Sequence, residues 1–535
     1  MYLVVISTAG NQRYIFASGK RQEIVGASGL ITRVDGTWAD ESLEEVFPGF
    51  SRKDWRIGGH DAELLVAGAG GITVLVRNRD AGRRLVTELT CRALKEAPGL
   101  DICGVVIEYT PGTLAETMRR ARVELAAVRE TRPGPLARFL RLPLVEDCGS
   151  SGLPATEIRR EGEGEPAQPR SAAAMAKLAA HPAALNRMAG ISGADRPTMK
   201  KIVDRLGLEA EWVAVVHADG NGLGEVFQRL GEPTAAGSGD ASGEAGIDRD
   251  RRYADAIRNL SSGVDGCAKR AFRAALRRTA GELGEEASSL PVLPLVLGGD
   301  DLTVVCDGAV ALSFTRHYLE AFEWETARDP LLAPTRAKLG REDLSAAAGV
   351  AIVKRNYPFH FAYELAERLT DAEAKRVKAW SSAVAFVVLF ESSAPDLERI
   401  RRSVTLSGGS GTSASPYLVG RGSRDDRARG RRWEDLVRRV TALTRRDSAS
   451  GELLIPRGAA HDLREGLHLG EEVAGSRLDL LRRRYAGDAV RTRALAELTE
   501  EQGGLMWTAP GEGRVTGLLD AMAALPFLRV REGAR

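Results

Sequence analysis

The sequence predicts an α+β fold in which one order of elements, strand–helix–strand–strand–helix–strand, occurs twice along the chain. Short apolar segments alternate with amphipathic segments in this order in the first hundred residues and again in the middle of the sequence. The segments between and after these two units have helical patterns. We therefore expect two ferredoxin-like (βαββαβ) domains, a helical linker region between them, and a helical C-terminal domain.

The length and composition indicate a soluble protein of several domains. At 535 residues the chain exceeds what one hydrophobic core usually supports. Apolar residues at 43% and charged residues at 28% are typical of globular proteins. No apolar run approaches the roughly 20 residues of a membrane span, and the N-terminus lacks the features of a signal peptide. We expect a cytoplasmic protein without a membrane partner.

The net charge and the cysteines argue against two classes of function. A formal net charge of +2 creates no global field that would draw the protein onto nucleic acid. The five cysteines form no CxxC pair, which favours buried free thiols over a zinc site. Two His-Asp dipeptides, His60-Asp61 and His461-Asp462, lack the further ligands of a His-Asp phosphohydrolase. We interpret both as surface residues.

The first unit is predicted from an apolar start, a glycine-rich hairpin and a last strand. Its predicted elements are strand 2–6, strands 62–66 and 71–76, helix 79–97 and strand 101–107. A helix over 112–130 follows, and the Pro/Gly/Glu-rich stretch 149–171 is typical of a flexible linker. We place the first domain at 1–110 and the helical linker region at 111–205.

The second unit repeats this order, which suggests an internal duplication. Its predicted elements are strand 212–218, helix 250–283, hairpin 291–306, helix 308–326, strand 347–353, helix 360–379 and strand 383–390. Glycine- and serine-rich loops lie at 232–247 and 407–416. We place the second domain at 206–420 and the helical C-terminal domain at 421–535.

Two adjacent carboxylates stand at the tip of the second hairpin, in the run Leu-Gly-Gly-Asp-Asp that ends at Asp301. The turn itself needs only glycine, while Asp300 and Asp301 repel each other and are costly to bury. In a split βαβ unit the end of the first strand lies at the same edge as this hairpin, which brings Asp219 beside them. Three carboxylates at one edge are the oxygen ligands that Mg²⁺ or Mn²⁺ prefers.

Glycine-rich and basic residues near these carboxylates predict a nucleotide site. The run after Asp219 opens a helix, where free backbone N–H groups can hold phosphate, and two cations lie on the later predicted helix 360–379. The candidate nucleotide-binding residues are Gly220, Asn221, Gly222, Leu223, Gly224, Gly298, Gly299, Lys375 and Arg376. Each motif alone also occurs as an ordinary turn or a solvated helix face. Their order and strand contexts together indicate a site of phosphoryl transfer.

These motifs, with "AAGVAIVKRNYPFHFAYELAERLTDAEAKR" at 347–376 and "SPYLVG" at 415–420, resemble the Cas10/Cmr2 family. The opening stretch 2–31 is similar to the start of that family's first palm domain. Members are the large subunits of type III CRISPR effector complexes, and their second palm carries a Gly-Gly-Asp-Asp hairpin. The resemblance implies that the protein converts ATP into cyclic oligoadenylate messengers in antiviral defence.

The resemblance also implies roles for individual residues. Asp219 and Asp300 would bind the metals with Asp301 assisting, Gly298 and Gly299 would shape the hairpin, and the run from Asn221 to Gly224 would seat the triphosphate. One ATP would offer its 3′-hydroxyl to the α-phosphate of the next, with pyrophosphate leaving. The first palm has the hairpin Ala67-Gly68-Ala69-Gly70-Gly71, without carboxylates. It would be inert and hold the acceptor nucleotide, with Ser28 nearby.

The sequence departs from the family pattern at three points. The His-Asp nuclease domain that is common in the family is missing, so we expect no DNA cleavage. The cysteine-ligated zinc site is missing as well. Asn221 stands where an aspartate is often seen, which we expect to alter metal affinity or the choice of product.

Three interpretations remain open from the sequence. The first is a nucleotidyl cyclase that uses ATP or other NTPs, free-standing, as a homo-oligomer or within an effector complex. The second is a structural subunit that contacts guide RNA, target RNA and small effector subunits; the Arg-rich run 421–446 favours some RNA contact, although such a run is also typical of a solvated helix face. The third is a dinucleotide cyclase acting on GTP, although Leu302 and Thr303 replace the Glu-Glu-Phe continuation of that class. The carboxylate cluster favours the first, because a structural palm has no need of repulsive charges.

Overall fold

A computed structural model describes residues 1–160, 166–230, 244–390, 396–403, 413–500, 503–509 and 513–529. The fold is mixed α+β, as the sequence predicts. Two sheets of four and six strands form its centre, and helices cover them. In the part of the chain that is described, no helix is both long enough and apolar enough to cross a membrane.

The first sheet has the strand order β2-β3-β1-β4, with every neighbouring pair antiparallel. The elements of this unit are β1 (Tyr2–Ala9), α1 (Asn11–Ile15), α2 (Arg21–Val34), α3 (Thr37–Val46), β2 (Ala62–Gly68), β3 (Gly71–Val76), α4 (Arg79–Glu96) and β4 (Asp101–Glu108). Successive side chains of a strand point to opposite faces. Val4 and Ile6 therefore lie in one apolar core, whereas Leu3 lies in another. Both faces of this sheet are covered.

A mostly helical region joins the two sheets. Its elements are α5 (Leu114–Thr131), β5 (Glu157–Arg159), β6 (Gln168–Arg170), α6 (Ala172–Ser192) and α7 (Arg196–Leu208). The stretch 149–171, predicted as a flexible linker, contains the antiparallel pair β5–β6, and its residues 161–165 lie outside the described residues. Arg170 and Ser171 at its end are fully buried. The stretch is therefore packed into the fold at its C-terminal end, because α6 begins there.

The second sheet has the order β12-β11-β10-β7-β9-β8. The elements of this unit are β7 (Trp212–Gly220), α8 (Leu223–Leu230), α9 (Glu244–Leu283), β8 (Val292–Gly298), β9 (Asp301–Asp307), α10 (Gly308–Arg328), α11 (Ala333–Leu339), β10 (Ala346–Lys354), α12 (Phe359–Ala372), β11 (Ser382–Val388), α13 (Leu397–Ser403) and β12 (Tyr417–Val419). Most of the loop 232–247 and of the loop 407–416 lies outside the described residues.

The C-terminal region shares one apolar core with the second sheet. Its elements are α14 (Trp433–Thr444), α15 (Arg457–Leu469), α16 (Glu471–Tyr485), α17 (Ala489–Ala496), β13 (Trp507–Ala509), β14 (Gly513–Val515) and α18 (Leu518–Ala524). The helical pattern predicted here is interrupted by the antiparallel pair β13–β14. Trp507 packs there against the guanidinium of buried Arg439, 4.9 Å from its ring. Such a tertiary contact leaves no trace in helical periodicity.

The two sheets share one strand order and one hairpin register. The four strands β2-β3-β1-β4 match β8-β9-β7-β10 in order and direction. In each hairpin the register shifts once, between Leu64 and Val66 in the first and between Pro294 and Val296 in the second. The pairs that close the turns are Gly68 with Gly71 and Gly298 with Asp301. The repeated order predicted from the sequence is thus present in the strands.

Helix α9 is clamped to the first unit by a buried carboxylate. The fully buried Glu63 of β2 pairs with Arg251 of α9 at 2.6 Å and with Arg258 at 2.9 Å. Arg56 approaches the same carboxylate at 3.1 Å. Burial by itself would raise the pKa of Glu63, but hydrogen bonds from Arg251, the Ile57 amide and Arg258 outweigh it and hold the pKa below its usual range. Glu63 is therefore ionised at neutral pH and fixes how the two units face each other.

We expect Glu63→Gln to destabilise the protein at pH 7 by about 2–3 kcal/mol. This is less than the cost of breaking a fully buried pair, because the arginines are partly solvated. A lowered folded pKa stabilises the fold above the unfolded pKa of about 4.3, and this stability is lost as the pH falls through the folded value. The difference between variant and wild type should therefore shrink on acidification to about pH 4, measured by thermal unfolding at both pH values.

Asp61→Asn provides the matched control, since Asp61 is 76% exposed and lies 3.6 Å from Arg77. Its cost should stay below about 1 kcal/mol. If Glu63→Gln cost no more than this control at pH 7, the clamp would not stabilise the fold.

Candidate functional site

The structure brings the three predicted aspartates together at one edge of the second sheet. Strand β7 continues through Asp219, which pairs with Ala347 of β10. The β8–β9 hairpin turns through Gly299 and Asp300, and only Gly299 of these two has a positive φ, +61°. The charge of Asp219 acts on both Asp300 and Asp301, so the three side chains lie close together. The convergence is what the strand order predicts.

Burial and mutual repulsion change the titration of the hairpin carboxyls. Burial raises the pKa of Asp300 well above its usual range, and the charges of Asp301 and Asp219 raise it further. Burial and the charge of Asp219 also raise the pKa of Asp301, to about 6, although Lys375 opposes this shift. The cluster therefore favours a shared proton or a nearby cation over three bare charges.

Lys375 supplies such a cation. Its ammonium group contacts the carboxylate of Asp219 and lies 2.7 Å from that of Asp371. The helix predicted over 360–379 ends at Ala372, and Lys375 lies in the short 3₁₀ turn Ala374–Val377 that follows. Arg376 is exposed, and its Nε donates to the carbonyl of Ala372 at 2.8 Å. Of the two predicted phosphate ligands, only Lys375 is thus brought to the carboxylates.

The residues from Gly220 to Gly224 have two structural roles: Asn221 anchors the turn after β7, and the last two residues begin helix α8. The backbone N–H of Asn221 donates to the carbonyl of Ser345 at 2.9 Å. Its side-chain Nδ2 donates to Ser345 Oγ at 3.0 Å and to the carbonyl of Ser381 at 3.2 Å. Helix α8 begins two residues later at Leu223, after Gly222 with a φ of +72°. Asn221 is buried, and its hydrogen bonds anchor the turn between β7 and α8 to the residues that immediately precede β10 and β11.

Gly220 is required by a close approach. A methyl group placed at this position would lie 2.8 Å from the Cβ of Asp300 and would also collide with Leu223. The Asp300 side chain can lie against β7 only because Gly220 has no side chain. Gly224, by contrast, is exposed, and a methyl group placed there would meet no heavy atom within 4 Å. Gly220 and Gly224 thus have different roles.

A cavity of about 640 Å³ lies between the two units and is bounded by both hairpins. The second hairpin contributes Gly298, Gly299, Asp300 and Asp301 to its wall. From α2 of the first unit, the hydroxyl of Ser28 donates to the carbonyl of Leu295 of β8 and accepts from Arg187 at 2.9 Å. Ser28 and the carboxylate hairpin therefore share one cavity.

Sequence reasoning missed four charged residues of this cavity: Asp35, Arg187, Asp265 and Lys269. Asp35 accepts from the Gly70 amide at 3.0 Å, and burial raises its pKa. Asp265 accepts from the Gly299 amide at 3.4 Å and pairs with Lys269 at 2.6 Å. Each lies on or beside a helix with ordinary amphipathic spacing, so no motif in the sequence marks them.

The first unit has no carboxylates at the places of the three aspartates. Ile6 pairs with Ile72 as Ala218 pairs with Leu302. The positions that correspond are Ser7 with Asp219, Gly70 with Asp300 and Gly71 with Asp301. Ala69, in this turn, has a φ of +52°, unusual for a residue other than glycine, and Gly70 has a φ of +75° where Asp300 has no positive φ. The two hairpins thus share a strand register but differ in turn conformation and in chemistry.

The donor set suits a hard divalent cation only with help from a ligand. Within the described ranges, no group of three or more His, Cys, Asp or Glu side chains has the geometry to hold a metal ion by itself. Mg²⁺ commonly binds through one or two carboxylates, waters and the phosphates of a nucleotide. Asp219, Asp300 and Asp301 supply oxygen ligands of this type, so the residues fit a metal that arrives with a nucleotide.

Many arginines of the run 421–446 form ion pairs with acidic residues of the same chain. Arg439 is fully buried and contacts Glu500, while Arg438 pairs with the same carboxylate at 2.8 Å. The other pairs of this run are Arg421 with Asp343, Arg427 with Asp425 and Arg445 with Glu497. The run is therefore not one free basic face, because acidic partners neutralise much of its charge.

Comparison with known proteins assigns the second unit. Residues 212–382 match the family model described as Cas10/Cmr2, second palm domain. The chain carries a Cas10/Cmr2 second palm domain. The resemblance found in the sequence is confirmed over this segment, which contains the hairpin and Asp219. The three aspartates all lie within the matched segment. None of the curated protein sequences matches this chain at a significant level.

Solved structures resemble the fold at low sequence identity. A Csm1–Csm4 cassette in complex with one ATP has a TM-score of 0.50 at 13% identity, covering 99% of this chain and 70% of that chain. A type III-B Cmr-beta structure in the apo state has a TM-score of 0.49 at 10% identity, covering 98% and 81%. An apo Csm1–Csm4 cassette has a TM-score of 0.47 at 13% identity. The match with that cassette covers 93% of this chain but only 64% of the cassette chain, so this chain spans less than two thirds of its length.

Gly220→Ala should destabilise the palm domain by about 1–3 kcal/mol, the usual cost of overpacking a filled site. The added methyl group would push Asp300 away from β7. The apparent Tm measured by circular dichroism checks this. Gly224→Ala is the control: the position is open and helical, so we expect no loss and a gain of up to about 1 kcal/mol. Equal Tm values for the two variants would contradict the close approach.

Proposed function

We propose that the protein is a Mg²⁺-dependent nucleotidyltransferase that converts ATP into cyclic oligoadenylate messengers in CRISPR-type antiviral defence. The observation that carries this proposal is the convergence of Asp219 with Asp300 and Asp301, the latter two of which line the cavity between the two units. The Cas10/Cmr2 palm match supports the reaction class. The solved cassette with a TM-score of 0.50 is described as a complex with one ATP, which supports the substrate.

We further propose that the two units are a tandem of ferredoxin-like palms of which only the second reacts. The common strand order and hairpin register support the tandem. Ser7, Gly70 and Gly71 cannot take the place of three carboxylates, which supports an inert first palm. Its part would be to hold the acceptor nucleotide across the cavity, with Ser28 and Arg187 at the wall.

The chain's own residues would position the reactants. Gly299 turns the hairpin so that Asp300 faces Asp219, and Asn221 fixes the turn that carries Asp219. The 3′-hydroxyl of one ATP attacks the α-phosphate of the next, and pyrophosphate leaves. Bound by Asp219 and Asp300 with Asp301 assisting, Mg²⁺ would supply charge neutralisation at the phosphate and a lower pKa for the hydroxyl. Lys375 would exchange part of its contact with Asp219 for the triphosphate.

The first experiment incubates the purified protein with Mg²⁺ or Mn²⁺ and each radiolabelled NTP, and resolves the products by chromatography. We expect an oligonucleotide from ATP, reduced by roughly 100-fold or more in Asp300→Asn/Asp301→Asn, because the charges that act on the phosphate are lost. Asp80→Asn, on an exposed carboxylate of α4, is the matched control. A product from GTP alone would contradict the choice of base, and a product that persists in the double variant would contradict the site.

A binding experiment tests the metal independently of turnover. Titration of Mn²⁺, followed by electron paramagnetic resonance with a non-hydrolysable ATP analogue present, should give saturable binding. We expect Asp219→Asn to weaken this binding by about tenfold or more, because one of few charged ligands is lost. The same Mn²⁺ affinity in variant and wild type would show that Asp219 is not a ligand.

A further inference from the structure

A second large cavity lies at the opposite end of the palm sheet from the carboxylates. It has a volume of about 790 Å³ and is enclosed by the end of β11 and by helices α14, α15 and α18. Asp219 is level with Ala347 of β10, which pairs with Ala383 of β11. Val388, on the cavity wall, lies five residues further along β11, about 17 Å at 3.3 Å per residue. The cavity is therefore separate from the proposed catalytic site.

The floor of this cavity is apolar. Phe386 and Val388 of β11 meet Leu443 of α14 and Leu519 and Met522 of α18. These side chains belong to or pack against the core that the palm shares with the C-terminal region. A floor of aromatic and aliphatic groups suits a weakly polar body such as a nucleobase.

The rim is cationic and comes mainly from one stripe of α15. Arg457, His461, Arg464 and His468 follow a spacing of four, three and four residues, which places them on one face of the helix. Arg446, after α14, adds a third guanidinium. Among the residues that the structure describes, Arg457 and Arg464 have no acidic partner within ion-pair distance. Fixed positive charge therefore surrounds the apolar floor.

The acidic groups nearby are engaged elsewhere. Asp462 and Glu465 of α15 both pair with Arg477 of α16, at 2.8 and 3.0 Å. Asp520, which also lines the cavity, accepts from Ser413 Oγ, the Ala414 amide and Tyr417 Oη at 2.7–2.8 Å. Another lining guanidinium, that of Arg401, pairs with Glu373. The positive surplus thus belongs to the three rim arginines.

We infer that this cavity binds a nucleoside phosphate, with the base on the apolar floor and the phosphate between Arg446, Arg457 and Arg464. Arginine forms paired, charge-assisted hydrogen bonds with phosphate oxygens. The cavity volume lies within the range of small-ligand pockets, roughly 300–1,000 Å³, and is therefore large enough for a nucleotide. The inference does not depend on the proposed catalytic function, since it uses a different end of the sheet.

The test measures binding of AMP to the full chain by calorimetry in EDTA, so that no metal-dependent binding contributes. Hydrogen exchange of α15 locates the bound AMP. We expect Arg457→Ala/Arg464→Ala to weaken AMP by about tenfold or more. AMP should protect residues 457–469 in the wild type and not in this variant. Arg483→Ala/Arg484→Ala removes two exposed charges of α16 outside the cavity and controls for net charge.

Two further comparisons make the result decisive. Asp300→Asn/Asp301→Asn should keep the protection of 457–469, which separates this site from the catalytic one. Adenosine and inorganic phosphate should each bind more weakly than AMP, because each provides half of the contacts. Phenyl phosphate that binds as tightly as AMP would overturn the assignment of a nucleoside. Unchanged AMP affinity in Arg457→Ala/Arg464→Ala, or no protection of α15, would overturn the site.

Discussion

Repulsion among Asp219, Asp300 and Asp301 is the constraint around which the palm edge is built. Three carboxylates can share a partly buried edge only if the backbone allows their approach and a cation offsets their charge. Gly220 allows the approach, because any side chain there would meet Asp300. Lys375 supplies charge through its contact with Asp219. Burial, together with the remaining repulsion from Asp219, still raises the pKa of Asp301 to about 6. A nucleotide-bound metal would relieve that repulsion, which makes this edge suited to phosphoryl transfer.

The duplicated strand order places a second hairpin, without carboxylates, beside the same cavity. The first hairpin repeats the register of the second but has Gly70 and Gly71 where the acids would stand. Both hairpins border one cavity, which is held in shape by α9. The buried charge of Glu63 ties α9 to the first sheet, and Val66 of β2 and Asp265 of α9 line the cavity, so this ion cluster helps to set how the cavity walls face each other. Such an arrangement would suit the proposed reaction, in which one unit holds the acceptor nucleotide and the other acts on the donor.

Much of the strand order and the carboxylate site could be predicted because both follow from local patterns. Apolar alternation marks the strands, and topology alone places the end of β7 beside the β8–β9 turn. The roles of single polar residues could not be predicted in this way. Asn221 looks like part of a phosphate loop, yet it bonds to Ser345 and Ser381, more than a hundred residues away. The arginines after Arg421 look like a basic surface, yet residues such as Glu497 and Glu500 neutralise them.

The sequence by itself determined the α+β class, the repeated order of strands and the identity of the carboxylate hairpin. These depend on periodicity, turn chemistry and the placement of charges next to strands, all of which are local. Only the tertiary structure decided which remote side chains meet. It brings Arg187 to the hydroxyl of Ser28 at the cavity and Lys375 to Asp219, and it places the stripe from Arg457 to His468 beside an apolar floor. The reason is physical. Ion pairing and burial depend on distances between segments that are remote in sequence, and no local pattern encodes those distances.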